Sequence, residues 1–161
     1  MFGQLEHELD LNVPASEAWD LFGTLQIGKL VEQELPQLFQ KVELTEGDGG
    51  VGTVLKLTFS PGVPGPASYK EKFTKVDNEK RIKEAEVVEG GYLELGFSLF
   101  RVRFEVIEKG EDSSILKSTI EYEVKEEHAG NASLVSVQPV ATIAELAKNY
   151  LNRNKTAQQA K

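Results

Sequence analysis

The sequence predicts an α+β fold in which a curved antiparallel sheet grips one long C-terminal helix. Three observations carry this expectation. The 161-residue chain fits a single domain with room for a substantial core. Its hydrophobic pattern has period two over most of its length and turns helical near the C-terminus. The element order is one strand, two short helices, about six further strands and a long helix, which leaves a pocket between sheet and helix.

Taken in order, Gln4 to Val13 alternates Leu5, His7, Leu9, Leu11 and Val13 with polar neighbours, as a half-buried strand does. Pro14 to Glu17 opens a helix, since proline and serine suit a first turn; Ala18, Trp19, Leu21 and Phe22 form its apolar side and Gly23 ends it. A second short helix is expected from Ile27 to Glu34, before Pro36 interrupts. Strands follow from Phe39 to Glu46 and from Thr53 to Phe59, joined by EGDGGVG, with a proline- and glycine-rich connection over 61–66. Next comes a hairpin. Tyr69, Glu71 and Phe73 share one face of its first strand, and Lys83, Ala85 and Val87 share the matching face of its second, across the turn DNEK. A long strand is expected from Tyr92 to Glu108, with Phe100, Val102, Phe104 and Val106 inward and Arg101 and Arg103 outward. Another runs from Ser113 to Lys125. Ile143, Leu146, Ala147, Tyr150 and Leu151 lie on one face of a helix that starts between Asn131 and Pro139 and ends near Leu151. Residues 152–161 are expected to form a flexible polar tail.

Composition narrows the function. Hydrophobic content of 40% and charge of 27% suit a soluble globular domain. No apolar run has the length of a membrane span, so no membrane partner is expected. The opening MFGQLEHELDL alternates like a strand and has no signal-peptide core, and the chain has no cysteine, so a cytoplasmic location is the expectation. A net charge of −8 offers no basic stripe to nucleic acid and mildly favours cationic small molecules. EGDGGVG lacks the Gly-Lys-Ser/Thr ending of a phosphate loop and sits between strands, so it reads as a connection. His7 and His128 lie far apart with no carboxylate cluster, which predicts no metal site, and no serine sits in a nucleophile elbow. Glu121, Glu123, Glu126 and Glu127 read as a solvated strand edge.

The candidate chemistry lies in the hairpin. Glu71 and Lys83 each place one charge on an otherwise apolar face, beside the phenol of Tyr69. A cross-strand ion pair at the sheet surface would contribute about 0–1 kcal/mol. A buried acid–base pair lining a cavity would instead have shifted proton affinities and chemical use. Pattern alone leaves both readings open.

The runs EGDGGVGTVLKLTF, YKEKF, KVDNEKRIK, EGGYLELG and LKSTIEYEVKEE resemble the norcoclaurine synthases, plant Pictet-Spenglerases of the pathogenesis-related class-10, birch-pollen-allergen superfamily. The resemblance spans nearly the whole chain. It implies a helix-grip fold with a seven-stranded antiparallel sheet, and condensation of dopamine with 4-hydroxyphenylacetaldehyde to (S)-norcoclaurine, without cofactor or metal. It matches the family's active-site tyrosine and glutamate to Tyr69 and Glu71, and its catalytic lysine to Lys83. Phe73, Val102 and Phe104 are expected to contact substrate. The family's aspartate is replaced by Val102, within LFRVRF. The implied partners are a small aromatic amine and an aldehyde, with the chain a monomer or homodimer. A non-catalytic carrier of alkaloids or other hydrophobic metabolites, and a related alkaloid isomerase, are the competing readings.

Overall fold

Alternating side chains assemble into seven strands of one antiparallel sheet. In the computed structural model these are β1 (Phe2–Asp10), β2 (Phe39–Glu46), β3 (Val54–Phe59), β4 (Ser68–Asp77), β5 (Ile82–Gly90), β6 (Phe97–Gly110) and β7 (Ser113–Val124). The helices are α1 (Ala15–Phe22), α2 (Gln26–Glu34) and α3 (Gln138–Gln159). The structure describes residues 1–159, with side chains as far as Arg153; the end of the expected tail lies outside the described residues. The strand order is β1-β7-β6-β5-β4-β3-β2, so β2 to β7 form a meander and β1 adds beside β7. This is the helix-grip architecture expected from the element order.

The sheet bends where its register shifts. In β4 the pairing slips between Lys70 and Glu71 and again between Phe73 and Lys75, so Glu71 lies opposite Val87 and Val76 opposite Lys83. The concave face carries Phe73, Leu116, Ile120 and Val124, each at most 3% exposed, and meets Leu11, Val13 and Phe22. Ala144 and Ala147 of α3 are fully buried; their small side chains let the helix approach the core closely.

The convex face holds an ionic belt across β5, β6 and β7. Arg103 Nε donates to Glu84 Oε1 at 2.7 Å, and Arg101 Nε donates to Glu121 Oε1 at 3.1 Å. Arg103 also donates to Glu121, and Arg101 lies 3.9 Å from Glu86. Glu121 is therefore no solvated edge residue. Its strand is interior, between β1 and β6, and two guanidiniums hold its carboxyl below the usual range against the opposing effect of burial.

Three boundaries differ from the sequence expectation by three residues or more. The first strand stops at Asp10 instead of Val13, because Asn12 takes a left-handed φ of 59°. The long strand starts at Phe97, not Tyr92. Gly91–Leu95 forms a 3₁₀ turn, because Gly90, Gly91 and Gly96 all adopt positive φ and fold the chain around Tyr92, which stacks on Phe100 with centroids 3.9 Å apart. The C-terminal helix continues past Leu151 to Gln159; Asn152 Nδ2 donates to the Leu11 carbonyl at 3.0 Å, tying the helix's continuation to the end of β1. A 3₁₀ segment over Glu126–Leu134 precedes it.

Candidate active site

The cavity lies between the concave sheet and the helices, and all six sequence-predicted site residues line it. It has two chambers. The inner one, about 90 Å³, is walled by Thr24, Gly28, Phe73, Lys83 and Ala85 among others. The outer one, about 120 Å³, is walled by Tyr69, Tyr92, Phe100 and Val140 and by Val63, Pro64 and Pro66 of the proline-rich connection. Glu71, Val102, Phe104, Phe39, Leu57 and Ile143 border both. Glu71 thus stands where the chambers meet.

Strand β5 carries Lys83 inward at 5% exposure. Its Nζ donates to the carbonyls of Phe22 at 3.1 Å and Thr24 at 3.2 Å, and lies 4.1 Å from the centroid of the Phe73 ring. Those carbonyls belong to the corner where α1 ends, an electronegative place that favours a cation. Trp19 Nε1, on α1, donates to Asn78 Oδ1 at 2.9 Å and so anchors that helix to the β4–β5 turn. Burial pulls the Lys83 ammonium down to about 8, while the charge of Glu71 opposes the fall.

Glu71 responds in the opposite sense. Burial pushes its carboxyl up to about 7, against the attraction of Lys83. Among the described residues it makes no direct ion pair with Lys83, so the two act on each other through the cavity. This arrangement is the buried alternative of the two left open by the sequence pattern. Tyr69, 9% exposed, packs with Phe59 at 5.4 Å and Tyr92 at 6.1 Å between centroids. Burial, then Glu71 and Tyr92, push its phenol well up, which leaves it a neutral hydrogen-bond donor.

Val102 lies opposite Ala85 and Ile120 in the middle of β6 and presents an apolar side chain to both chambers. Arg101 and Arg103 point to the ionic belt on the other face, so neither supplies a charge in its place. Sequence reasoning missed Tyr92, which was read as strand, and the Phe22 and Thr24 carbonyls that hold Lys83. A tyrosine after a glycine pair was a signal for the first; backbone carbonyls leave none.

A family model described as the pathogenesis-related protein Bet v 1 family matches residues 1–153. The chain is 48% identical over 156 residues to a norbelladine synthase of Narcissus pseudonarcissus, covering 97% of this chain and 96% of that protein. It is 40% identical over 150 residues to S-norcoclaurine synthase 2 of Papaver somniferum, covering 92% of this chain and 64% of that protein. A crystal structure of norcoclaurine synthase from Thalictrum flavum, in complex with dopamine and hydroxybenzaldehyde, matches with a TM-score of 0.86 at 37% identity, covering 95% of this chain and 88% of that one.

Proposed function

The chain belongs to the pathogenesis-related Bet v 1 family, and on that premise we propose that it condenses a small aromatic amine with an aldehyde in a Pictet-Spengler-type reaction. The finer reading is an (S)-norcoclaurine synthase-like condensation of dopamine with 4-hydroxyphenylacetaldehyde in benzylisoquinoline alkaloid biosynthesis. The name of the Narcissus relative makes norbelladine the competing product. The observation that carries the proposal is one carboxyl and one ammonium, at about 7 and about 8, facing a single apolar cavity without neutralising each other by contact.

In this reading the amine nitrogen attacks the aldehyde carbon. The carbinolamine loses water to give an iminium. A ring carbon then attacks the iminium carbon, and loss of the ring proton restores aromaticity. Lys83 as a cation donates to the carbonyl oxygen and steadies the phenolate that develops as the ring attacks. Glu71, between the chambers, takes the ring proton as general base. Tyr69 donates to a substrate hydroxyl in the outer chamber. Phe73 and Phe104 shape the apolar walls. Val102 leaves Glu71 as the one carboxylate among the residues lining either chamber, so the amine has a single anionic anchor.

The test is an assay with dopamine and 4-hydroxyphenylacetaldehyde, with products resolved by chiral chromatography against norcoclaurine standards. Enantiomeric enrichment supports the enzyme, because the uncatalysed reaction gives racemate. Racemate at the background rate refutes it. The apolar residue at Val102 favours a second reading, a carrier of hydrophobic metabolites. Micromolar alkaloid binding by calorimetry without turnover would support that reading.

A further inference from the structure

We infer that the seam between α2 and β2 is a rear portal to the inner chamber, gated by Gly28 against Val42 and latched by Glu32. The inference adds an access route to the site of the proposed function. It rests on that reading only for the identity of what passes.

On the outer side of the seam lies a groove of about 180 Å³ rimmed by Lys29 and Glu32. Leu25, Gly28, Val42 and Leu55 line this groove and also line the inner chamber. The partition between the two is therefore one residue thick. At its centre stands a glycine with no side chain to fill the gap. A Cβ added to Gly28 would meet Val42 Cγ1 at 3.4 Å and, outside the backbone of its own helix, no other atom within 4 Å, so on the sheet side the seam at Gly28 is closed by Val42 alone.

The helix that forms one side of the seam is held by apolar packing of Ile27, Leu30 and Val31 and by one polar latch to β2. Leu25, at the N-cap of α2, makes no side-chain cap and the first turn has no acidic residue; Thr24 Oγ1 accepts from the Gln26 N–H at 3.2 Å in its stead. Glu32 Oε2 accepts from the backbone N–H of Val42 at 2.7 Å, and among the described residues this is the one side-chain hydrogen bond joining α2 to β2. Its rupture would loosen the Gly28 side of α2 against β2, with Ile27, Leu30 and Val31 keeping the helix seated in the core.

The portal opens into the chamber that Lys83 lines. Thr24, whose carbonyl accepts from Lys83 Nζ, is exposed and borders the same chamber. The front mouth, by Val63, Pro64 and Ser136, opens into the outer chamber, which Lys83 does not line. From there a molecule must pass Glu71, Val102 and Phe104. The rear opening passes from a rim of Lys29 and Glu32 to an apolar seam of Gly28, Val42 and Leu55, which suits small neutral molecules: the water expelled on iminium formation, and short aldehydes.

Reductive methylation tests access without any turnover. Formaldehyde and the Lys83 amine form an iminium with loss of water, and cyanoborohydride supplies the hydride that reduces it. Dimethylation of the Lys83 peptide is followed by mass spectrometry in the full-length protein, with exposed Lys29 as internal reference. Gly28→Leu, which plugs the seam, should slow Lys83 labelling at least about tenfold, as when passage through a gate becomes limiting. Glu32→Ala, which removes the latch, should speed it. Val63→Trp, which blocks the front mouth, should leave it unchanged. A wild-type rate in Gly28→Leu, or an equal slowing in Val63→Trp, overturns the portal. Where Gly28→Leu does not fold, Glu32→Ala decides: an unchanged rate overturns the inference. Labelling that follows these expectations while the dopamine assay stays negative would retain the portal and discard the synthase.

Discussion

Replacing Lys83 by Met should end turnover and make the protein more stable at neutral pH. The magnitude comes from the buried ammonium. Holding Lys83 at about 8, against 10.5 for a free lysine, costs about 3 kcal/mol at pH 7. The sign follows from the depressed folded value. The cost is present in full below pH 8, shrinks as pH rises, and is gone above 10.5, where the folded and unfolded chains both carry a neutral amine. Methionine keeps the unbranched stem and sheds the charge. Against the gain stand two lost hydrogen bonds, to Phe22 and Thr24, worth about 1 kcal/mol each. The net at pH 7 is a stabilisation of about 1 kcal/mol, or a Tm higher by about 2–4 °C for a chain of this length. Melting curves of both proteins at pH 7 and pH 10.5 test this, with the condensation assay alongside. The advantage of the variant should disappear or reverse at the higher pH. A variant less stable than wild type at both pH values, by the same margin, would show that Lys83 is a structural brace whose charge costs nothing, and would refute the reasoning.

Other outcomes follow from the same geometry. The pH profile of kcat/KM should be a narrow bell, limited on the acid side by Glu71 near about 7 and on the alkaline side by Lys83 near about 8, with the two limits belonging to the pair. Glu71→Gln should lower kcat by about 10²–10⁴-fold and abolish the acid limb, with the fold retained by circular dichroism. Val102→Asp should place a second carboxylate against both chambers, lower KM for the cationic amine, and reduce stability by about 1–3 kcal/mol in a denaturant titration. Gly91→Ala should cost about 1–2 kcal/mol, because the residue has φ of 56° and the new Cβ would sit 2.7 Å from Tyr69 Cβ; loss of outer-chamber ligand affinity should accompany it.

Much of the fold was legible because alternation is a local signal. Phe39–Glu46 appears as a strand with the bounds read from the sequence, and Gly23 ends α1 as a helix-terminating glycine should. The readings failed where backbone geometry outweighed side-chain pattern. The Gly90–Gly91 pair and Gly96 bend a run that reads as strand, and Asn12 ends β1 while Leu11 and Val13 remain fully buried. Glu121 looked solvated because its neighbours are acidic; the two arginines that pair with it sit 18 and 20 residues away in the chain. At the site, an inward Glu71 and Lys83 could be read from alternation. Their burial could not, since it depends on α2 and α3 closing over the sheet. Nor could the division into chambers, which rests on Phe39, Leu57 and Ile143 from three separate elements.

The ionic belt on the convex face has a consequence for how such a protein can diversify. Arg101 and Arg103 flank Val102, and their pairing with Glu84, Glu86 and Glu121 ties three strands together from outside. A slip of one residue would drive a guanidinium into the cavity, so the belt forbids the slip. Inward positions on those strands are thereby released from any duty to keep the pairing. Substitutions at inward positions such as 102 can then change what faces the cavity, while the scaffold on the other side of the same strands stays as it is.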